Sequence, residues 1–288
     1  MLPEFDLLMP QTLSEALALL ADYAPDAVPL AGGTNLIVDM RGRRHTPSVL
    51  VNVNGLDALR GIRQEDGHIV VGGGTTIAQI LRDPLISSSA GALREAARVF
   101  ANPLIRNRAT IGGNLVYGSP AANTPPPLLL FDAEVELTSR ESVRCVPLED
   151  FLIGVRHTDR RPDELLTAVR WSLPPERTAT AFYKVGLRKS DAIAVVSVAV
   201  RVTWDDGQRC EVVRIALGSV APRVIRAHAA EELLTGEPLN EEIIAEVAHR
   251  AAEATSCVSD IRGSAAYRYR TTAALVRRLL TQLAGEVQ

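Results

Sequence analysis

The sequence predicts an α+β protein with two domains, the first of which is divided into two subdomains. Over residues 1–176, helical apolar spacing alternates with short continuous apolar runs, so helices and strands are mixed in this part of the chain. From residue 177 onward, β-branched runs come first and helical patterns follow, as in α+β domains. We place the subdomain boundary near residue 55 and the second domain at residues 177–288.

The first subdomain is predicted to begin with a helix and to continue with two strands. Thr12 and Glu15 have the spacing of a capping box, after which leucines and alanines recur at helical spacing. Residues 26–30 and 49–53 are short apolar runs, which indicates strands. The first of these strands leads directly into a pair of glycines.

The second subdomain is predicted to mix strands with short helices. Strands are expected over residues 68–71, 134–138 and 165–173, and a helix is expected over residues 90–101, where Asn102-Pro103 ends it. A run of three glycines follows the first of these strands. It lacks the lysine and the spacing of a phosphate-binding loop, so we interpret it as a structural turn.

The second domain is predicted to start with a hairpin. The β-branched run 192–204 is followed by the turn residues Asp205-Asp206-Gly207 and by a return strand over residues 209–220. Helical spacing then predicts three helices, which cover residues 227–234, 241–255 and 271–284.

Composition and charge narrow the possible functions. The chain of 288 residues is 47% hydrophobic and 23% charged with a net charge of −3, so nothing indicates nucleic-acid binding. Its three cysteines and five histidines lack metal-ligand spacing, and no grouping suggests a catalytic acid, base or nucleophile. We find no signal-peptide pattern and no apolar run of membrane-spanning length, and we therefore expect a cytoplasmic protein.

Two glycine pairs are the best candidates for a binding site. They lie in the segments AGGTN, residues 31–35, and TIGGN, residues 110–114. A glycine pair lets the backbone approach a ligand closely, and successive free N–H groups form an anion-binding concavity. Together the two segments could hold a diphosphate from both sides. From their spacing alone, ordinary tight turns explain them equally well.

The surrounding motifs favour the functional interpretation. PLAGGTNLI, IRNRATIGGNLVYGSPAANTPP, DELLTAVRWSLP, FYKVGLRKSDAIA and SDIRGSAAYRYR occur in this order along the chain. With them the chain resembles, over essentially its full length, the FAD-binding medium subunits of molybdenum hydroxylases, such as carbon monoxide and xanthine dehydrogenases. The resemblance implies an FAD-binding domain of the two-subdomain PCMH type, followed by the C-terminal domain of the medium subunit.

The same resemblance implies where FAD binds. The backbone N–H groups of residues 31–35 and 111–114 would hold its pyrophosphate, while the chain itself would bind no metal. The implied cofactor-binding residues are Leu30, Ala31, Gly32, Gly33, Thr34, Asn35, Leu36, Phe100, Thr110, Ile111, Gly112, Gly113, Asn114, Asn123, Leu166 and Lys184.

Four of these positions carry particular expectations. Phe100 matches an aromatic residue near adenine and Leu166 a residue touching the flavin, although ordinary core packing explains both equally well. Lys184 matches a flavin-side lysine whose charge would raise the flavin potential; the alternative is an exposed lysine at a strand end. Asn123 stands where the family commonly has aspartate, so the negative charge expected there is absent.

The implied function is electron transfer within a heterotrimer. A large molybdopterin-binding subunit would hydroxylate the substrate, and a small iron–sulfur subunit would pass electrons to FAD in this chain. An external acceptor (NAD, a quinone or another molecule) would then receive them. Two alternatives stay open, namely a stand-alone FAD oxidoreductase that acts directly on a small substrate and a scaffold subunit of the same fold without FAD.

Overall fold

The computed structural model describes residues 2–188 and 190–286. Within them, each of the three predicted units forms a sheet of its own, and helices pack against these sheets. Among the described residues, no helix is both long and apolar enough to cross a membrane.

The first unit is a small parallel sheet with one amphipathic helix. Its elements are β1 (Asp6–Leu8), α1 (Leu13–Asp22), β2 (Ala27–Leu30), α2 (Leu36–Arg41) and β3 (Val49–Asn52). The central strand β3 pairs in parallel with both β1 and β2. The Thr12 hydroxyl caps α1 as predicted, but the Glu15 carboxylate accepts from the Gln11 N–H, so only half of the predicted capping box forms. The first glycine segment lies between β2 and α2.

The second unit is an antiparallel five-stranded sheet covered by short helices. A 3₁₀ turn at Asp57–Leu59 precedes it. The elements are β4 (Ile62–Glu65), β5 (His68–Gly72), α3 (Ile77–Arg82), α4 (Pro84–Ser89), α5 (Gly91–Arg98), α6 (Pro103–Arg106), α7 (Ile111–Val116), α8 (Pro125–Leu129), β6 (Glu134–Thr138), β7 (Val143–Pro147), α9 (Leu148–Phe151), β8 (Leu152–Gly154), β9 (His157–Thr158) and β10 (Leu165–Ser172). The sheet has the strand order β4-β5-β10-β6-β7, and β8 pairs separately with β9.

One predicted helix of this unit is shorter than expected, and the three-glycine run has a structural explanation. The helix predicted over residues 90–101 ends at Arg98, because Ala101 has a positive φ of 37° and Asn102 caps the next helix. The three-glycine run is a place of close backbone contact. A Cβ on Gly73 would lie 2.1 Å from the Leu166 carbonyl oxygen, which accounts for glycine there without any ligand.

The third unit is an antiparallel meander with helices on one side. Its elements are β11 (Thr178–Gly186), β12 (Ala194–Trp204), β13 (Cys210–Gly218), β14 (Ile225–Arg226), α10 (His228–Leu234), α11 (Glu241–Glu253) and α12 (Ala265–Glu286). The hairpin turn at residues 205–207 joins β12 and β13 as predicted. The predicted start of the last helix at residue 271 was wrong, because the buried residue in its first turns is Arg268 rather than an apolar side chain.

The carboxylate of Glu231 on α10 connects this helix to strands β13 and β14 of the third unit. The Glu231 carboxylate, 4% exposed as a residue, accepts from the Ile215 N–H at 2.8 Å and from Arg226 Nε at 3.0 Å. Glu231→Ala removes the closest carboxylate of the largely buried Arg226 guanidinium, which keeps Asp132 at 2.6 Å, and also leaves the Ile215 N–H without its acceptor. We therefore expect the free energy of unfolding to fall by about 3 kcal/mol. The exposed pair of Glu241 and Arg277 is the control, since Glu241→Ala should change it by about 0.5 kcal/mol or less. Equal effects in urea denaturation would contradict this prediction.

Candidate cofactor site

A long cleft passes both glycine segments. Its first part, the amide lobe, has a volume of about 890 Å³ and is lined by residues 31–35 together with Thr110 and Gly113. Its second part, the lysine lobe, has a volume of about 780 Å³ and is lined by Lys184, Asn123 and residues of the third unit. Seven residues line both lobes and so join them into one cleft: Asn35, Phe100, Ala101, Asn114, Tyr117, Arg156 and Asp191.

Most of the predicted site residues line this cleft. They are Ala31, Gly32, Gly33, Thr34, Asn35, Leu36, Phe100, Thr110, Gly113, Asn114, Asn123 and Lys184. The other four, Leu30, Ile111, Gly112 and Leu166, are absent from its lining. Ile111 and Gly112 are buried in the first turn of α7, and Leu166 is 3% exposed in the core around β10. The structure therefore gathers residues from all three units around one elongated space.

The first glycine segment supplies free backbone donors. Among the described residues, none of the N–H groups from Ala31 to Asn35 donates a hydrogen bond to a protein acceptor. Gly33 has a φ of +71°, and a Cβ on Gly32 would lie 1.9 Å from the Arg108 carbonyl oxygen, so both positions require glycine. Consecutive free amides on a cleft wall are suited to binding an anion.

The second glycine segment behaves differently from the prediction. Its residues form the start of α7, and the N–H groups of residues 111–114 donate to the carbonyls of Thr75, Gly73 and Thr110 and to the Thr110 hydroxyl. These four amides are therefore already satisfied within the chain. The expectation that they are free to hold the pyrophosphate is corrected, because the segment is helical and capped rather than an open loop.

Side chains remain available on this second wall. Asn114 Oδ1 accepts from the Thr124 hydroxyl at 2.7 Å, which leaves the Asn114 side-chain N–H groups without a protein acceptor among the described residues. A Cβ on Gly113 would meet only Thr110 Oγ1 within 4 Å, at 2.9 Å. The rest of the space beside Gly113 belongs to the cleft.

Lys184 is tethered on the wall of the lysine lobe. Its Nζ donates to the carbonyl of Val99 at 2.6 Å and to that of Ala192 at 3.1 Å. Burial lowers the pKa of Lys184 to about 8, and the nearby Asp191 opposes this shift only in part. The structure thus has a half-buried lysine on a cleft wall rather than an exposed lysine at a strand end.

Asn123 has a local reason for being an amide. It is 7% exposed, and its Nδ2 donates to the Ala96 carbonyl at 3.3 Å. An ionised aspartate has no hydrogen to donate there. The departure from the common family residue therefore replaces a charge with a donor to helix α5.

The SDIRGSAAYRYR motif contributes Asp260, Arg262 and Arg268 to the wall of the lysine lobe. The Asp260 carboxylate binds Arg262 at 2.6 Å and Arg268 at 2.7 Å, and these guanidinium groups hold the pKa of Asp260 far below its usual range. Buried Arg268 also donates to the carbonyls of Val195 and Ser219. The motif thus fastens the segment before α12 to the meander.

Sequence reasoning missed a charged cluster at the junction of the lobes. The buried Asp39 carboxylate pairs with Arg44 at 2.7 Å and lies 3.6 Å from Arg156. The Arg156 guanidinium stands over the Tyr117 ring at 4.9 Å, while burial and Asp39 raise the pKa of Tyr117. These residues come from three separate segments, and no local spacing pattern marks them.

The residues present fit an extended dinucleotide. The amide lobe offers free amides for a diphosphate, and the wall at Gly113 lacks a side chain that would fill the cleft. For a flat ring system, the lysine lobe offers a tethered cation and aliphatic wall residues that include Val155, Ile193 and Val220.

Comparisons with known families agree with this fit. Residues 3–174 match the FAD-binding domain of molybdopterin dehydrogenases. Residues 181–283 match the C-terminal domain of the carbon monoxide dehydrogenase flavoprotein.

The similarity to individual proteins extends over nearly the whole chain. The alpha subunit of the 6-hydroxypseudooxynicotine dehydrogenase complex from Paenarthrobacter nicotinovorans is 34% identical over 280 residues, 97% of this chain and 94% of that protein. The carbon monoxide dehydrogenase medium chain from Afipia carboxidovorans is 34% identical over 274 residues, 95% of this chain and 94% of that protein. In reconstituted carbon monoxide dehydrogenase from Oligotropha carboxidovorans, the matching chain superimposes with a TM-score of 0.95 at 33% identity, covering 99% of both chains. The chain therefore belongs to the family of FAD-binding medium subunits of molybdenum hydroxylases.

Proposed function

We propose that this chain is the FAD-carrying, electron-transferring subunit of a heterotrimeric molybdenum hydroxylase. The observation that carries the proposal is the continuous cleft, in which free amides and a tethered lysine lie on opposite lobes of a chain matched along both domains. A large subunit would hold molybdopterin and a small subunit iron–sulfur clusters. Bound FAD would supply the chemistry, since it accepts electrons singly and releases them in pairs.

The residues of this chain bind and orient the cofactor. We assign the pyrophosphate to the amides of Ala31 to Asn35, with the side chains of Thr110 and Asn114 on the opposite wall. We assign the flavin ring to the lysine lobe, where Lys184 contributes positive charge. No group in this chain is required to act as an acid, a base or a nucleophile. An external acceptor (NAD, a quinone or another molecule) would take the electrons onward.

We also propose a cytoplasmic location for the assembly. All three cysteines, Cys145, Cys210 and Cys257, are free thiols in the structure, and Cys145 is exposed. Free thiols of this kind are the usual state in a reducing compartment.

Purification tests the function directly. We expect the chain to be yellow with a flavin spectrum, to copurify with molybdopterin and iron–sulfur subunits when these are coexpressed, and to have its flavin reduced by substrate only in their presence. A colourless chain that cannot be reconstituted with FAD would contradict the cofactor assignment. Rapid flavin reduction by a small substrate without partners would instead favour the stand-alone oxidoreductase.

A further inference from the structure

A bound pyrophosphate carries full negative charges, which amide dipoles alone would balance only in part. The free N–H groups of residues 31–35 carry only partial charges, and the second glycine segment has no free amide over residues 111–114. Among the described residues, Arg156 is the one cationic side chain that lines both lobes. Asn35 and Asn114, from the two glycine segments, line the same junction. We propose that Arg156 binds the cofactor's pyrophosphate, an inference that rests on the function proposed above.

The backbone around Arg156 is held in an unusual conformation. Arg156 lies in the turn between β8 and β9 and has a φ of +56°, a region that non-glycine residues rarely occupy. Its N–H donates to the Gly118 carbonyl at 2.8 Å, just beyond α7. Such strained positions concentrate at ligand-binding sites, where the surrounding structure enforces them. The hairpin is thereby fixed to the helix that carries the second glycine segment.

Tyr117 and Asp39 orient the side chain of Arg156 without accepting a hydrogen bond from it. Its guanidinium stacks over Tyr117 at 4.9 Å and lies 3.6 Å from Asp39. This separation is longer than a hydrogen bond, and the guanidinium has no hydrogen-bond acceptor among the described residues. The side chain is 47% exposed. Its planar set of N–H donors therefore remains available for a phosphate.

The local charge balance favours an anion at this junction. Among the described residues, one carboxylate, Asp39, pairs with both Arg44 and Arg156, so these three side chains together carry one net positive charge. Asp191 also lines the junction, but it pairs with Arg188 at 3.6 Å. The junction therefore keeps an excess of positive charge that would attract a phosphate group.

The test compares ligands with and without phosphate. We would titrate the full-length apoprotein with FAD and with riboflavin, which shares the ring but has no phosphate, using calorimetry or flavin fluorescence. For Arg156→Gln we expect the Kd for FAD to rise by about tenfold or more. The Kd for riboflavin should change by less than about twofold. Arg156→Lys, which retains the charge without the planar fork, should recover part of the loss.

Controls separate this role from a structural one. Arg140→Gln removes the same charge from an exposed arginine paired with Asp22, away from the cleft, and should leave both affinities unchanged. If Arg156→Gln weakens FAD and riboflavin equally, or weakens neither, the proposal is wrong. If that variant does not fold, ADP titrated against Arg156→Lys decides, since unchanged ADP affinity would overturn the proposal and a loss would support it. Failure of the unmodified chain to bind FAD would instead refute the proposed function.

Discussion

Gly113→Val is expected to abolish FAD retention while leaving the chain folded. Gly113 lines the amide lobe, and a Cβ there would meet only the Thr110 hydroxyl within 4 Å. The branched side chain of valine would therefore extend into the space that we assign to the pyrophosphate, and it would also disturb the hydroxyl that caps α7. The measurement is the flavin-to-protein ratio after purification, followed by titration with added FAD.

The control for this variant is another helical glycine. Gly285 lies near the end of α12, and a Cβ there would meet nothing within 4 Å. Gly285→Val thus introduces the same change in helix propensity outside the cleft and should retain full flavin content. Gly33→Val should lose FAD as well, but its φ of +71° adds backbone strain, so that variant is expected to be less stable. Full flavin content in Gly113→Val would refute the pyrophosphate assignment.

Lys184→Met is expected to lower the reduction potential of bound FAD. Reduced FAD carries negative charge on its ring, and a nearby cation stabilises that form. Loss of one partly buried charge should cost roughly 1.4–2.8 kcal/mol, which corresponds to ~30–60 mV for a two-electron couple. The measurement is a redox titration of the flavin absorbance in the intact assembly.

The pH dependence of this effect has a defined sign. Because burial lowers the pKa of Lys184 to about 8, the ammonium group is charged below that pH and neutral above it. The difference in potential between the unmodified chain and Lys184→Met should therefore be largest below pH 8 and should shrink as the pH rises through this value. Lys184→Arg remains charged throughout and should keep a raised potential without the pH step. A pH-independent difference for Lys184→Met would show that the lysine charge is not its cause.

The sequence predicted the parts of the fold that local pattern specifies. The capping hydroxyl of Thr12, the turn at residues 205–207 and the strand at residues 134–138 follow from short-range residue preferences and are present. The two-residue pairing of β8 with β9 was not anticipated, since such a short hairpin has too few residues to show periodicity. The start of α12 was not predicted correctly, because the buried residue in its first turns is Arg268 and helical patterns are recognised by apolar residues.

By itself, the sequence determined the family, because its motifs occur in a fixed order along the chain, and with the family it determined the cofactor class. Only the tertiary structure decided how the two glycine segments differ. The N–H groups of residues 31–35 remain free on the cleft wall, whereas those of residues 111–114 are satisfied by Thr75, Gly73 and Thr110. Tertiary contacts also bring Arg156 to the junction of the lobes. The physical reason is that backbone hydrogen bonding and charge pairing are settled by segments distant in sequence, which no local pattern records.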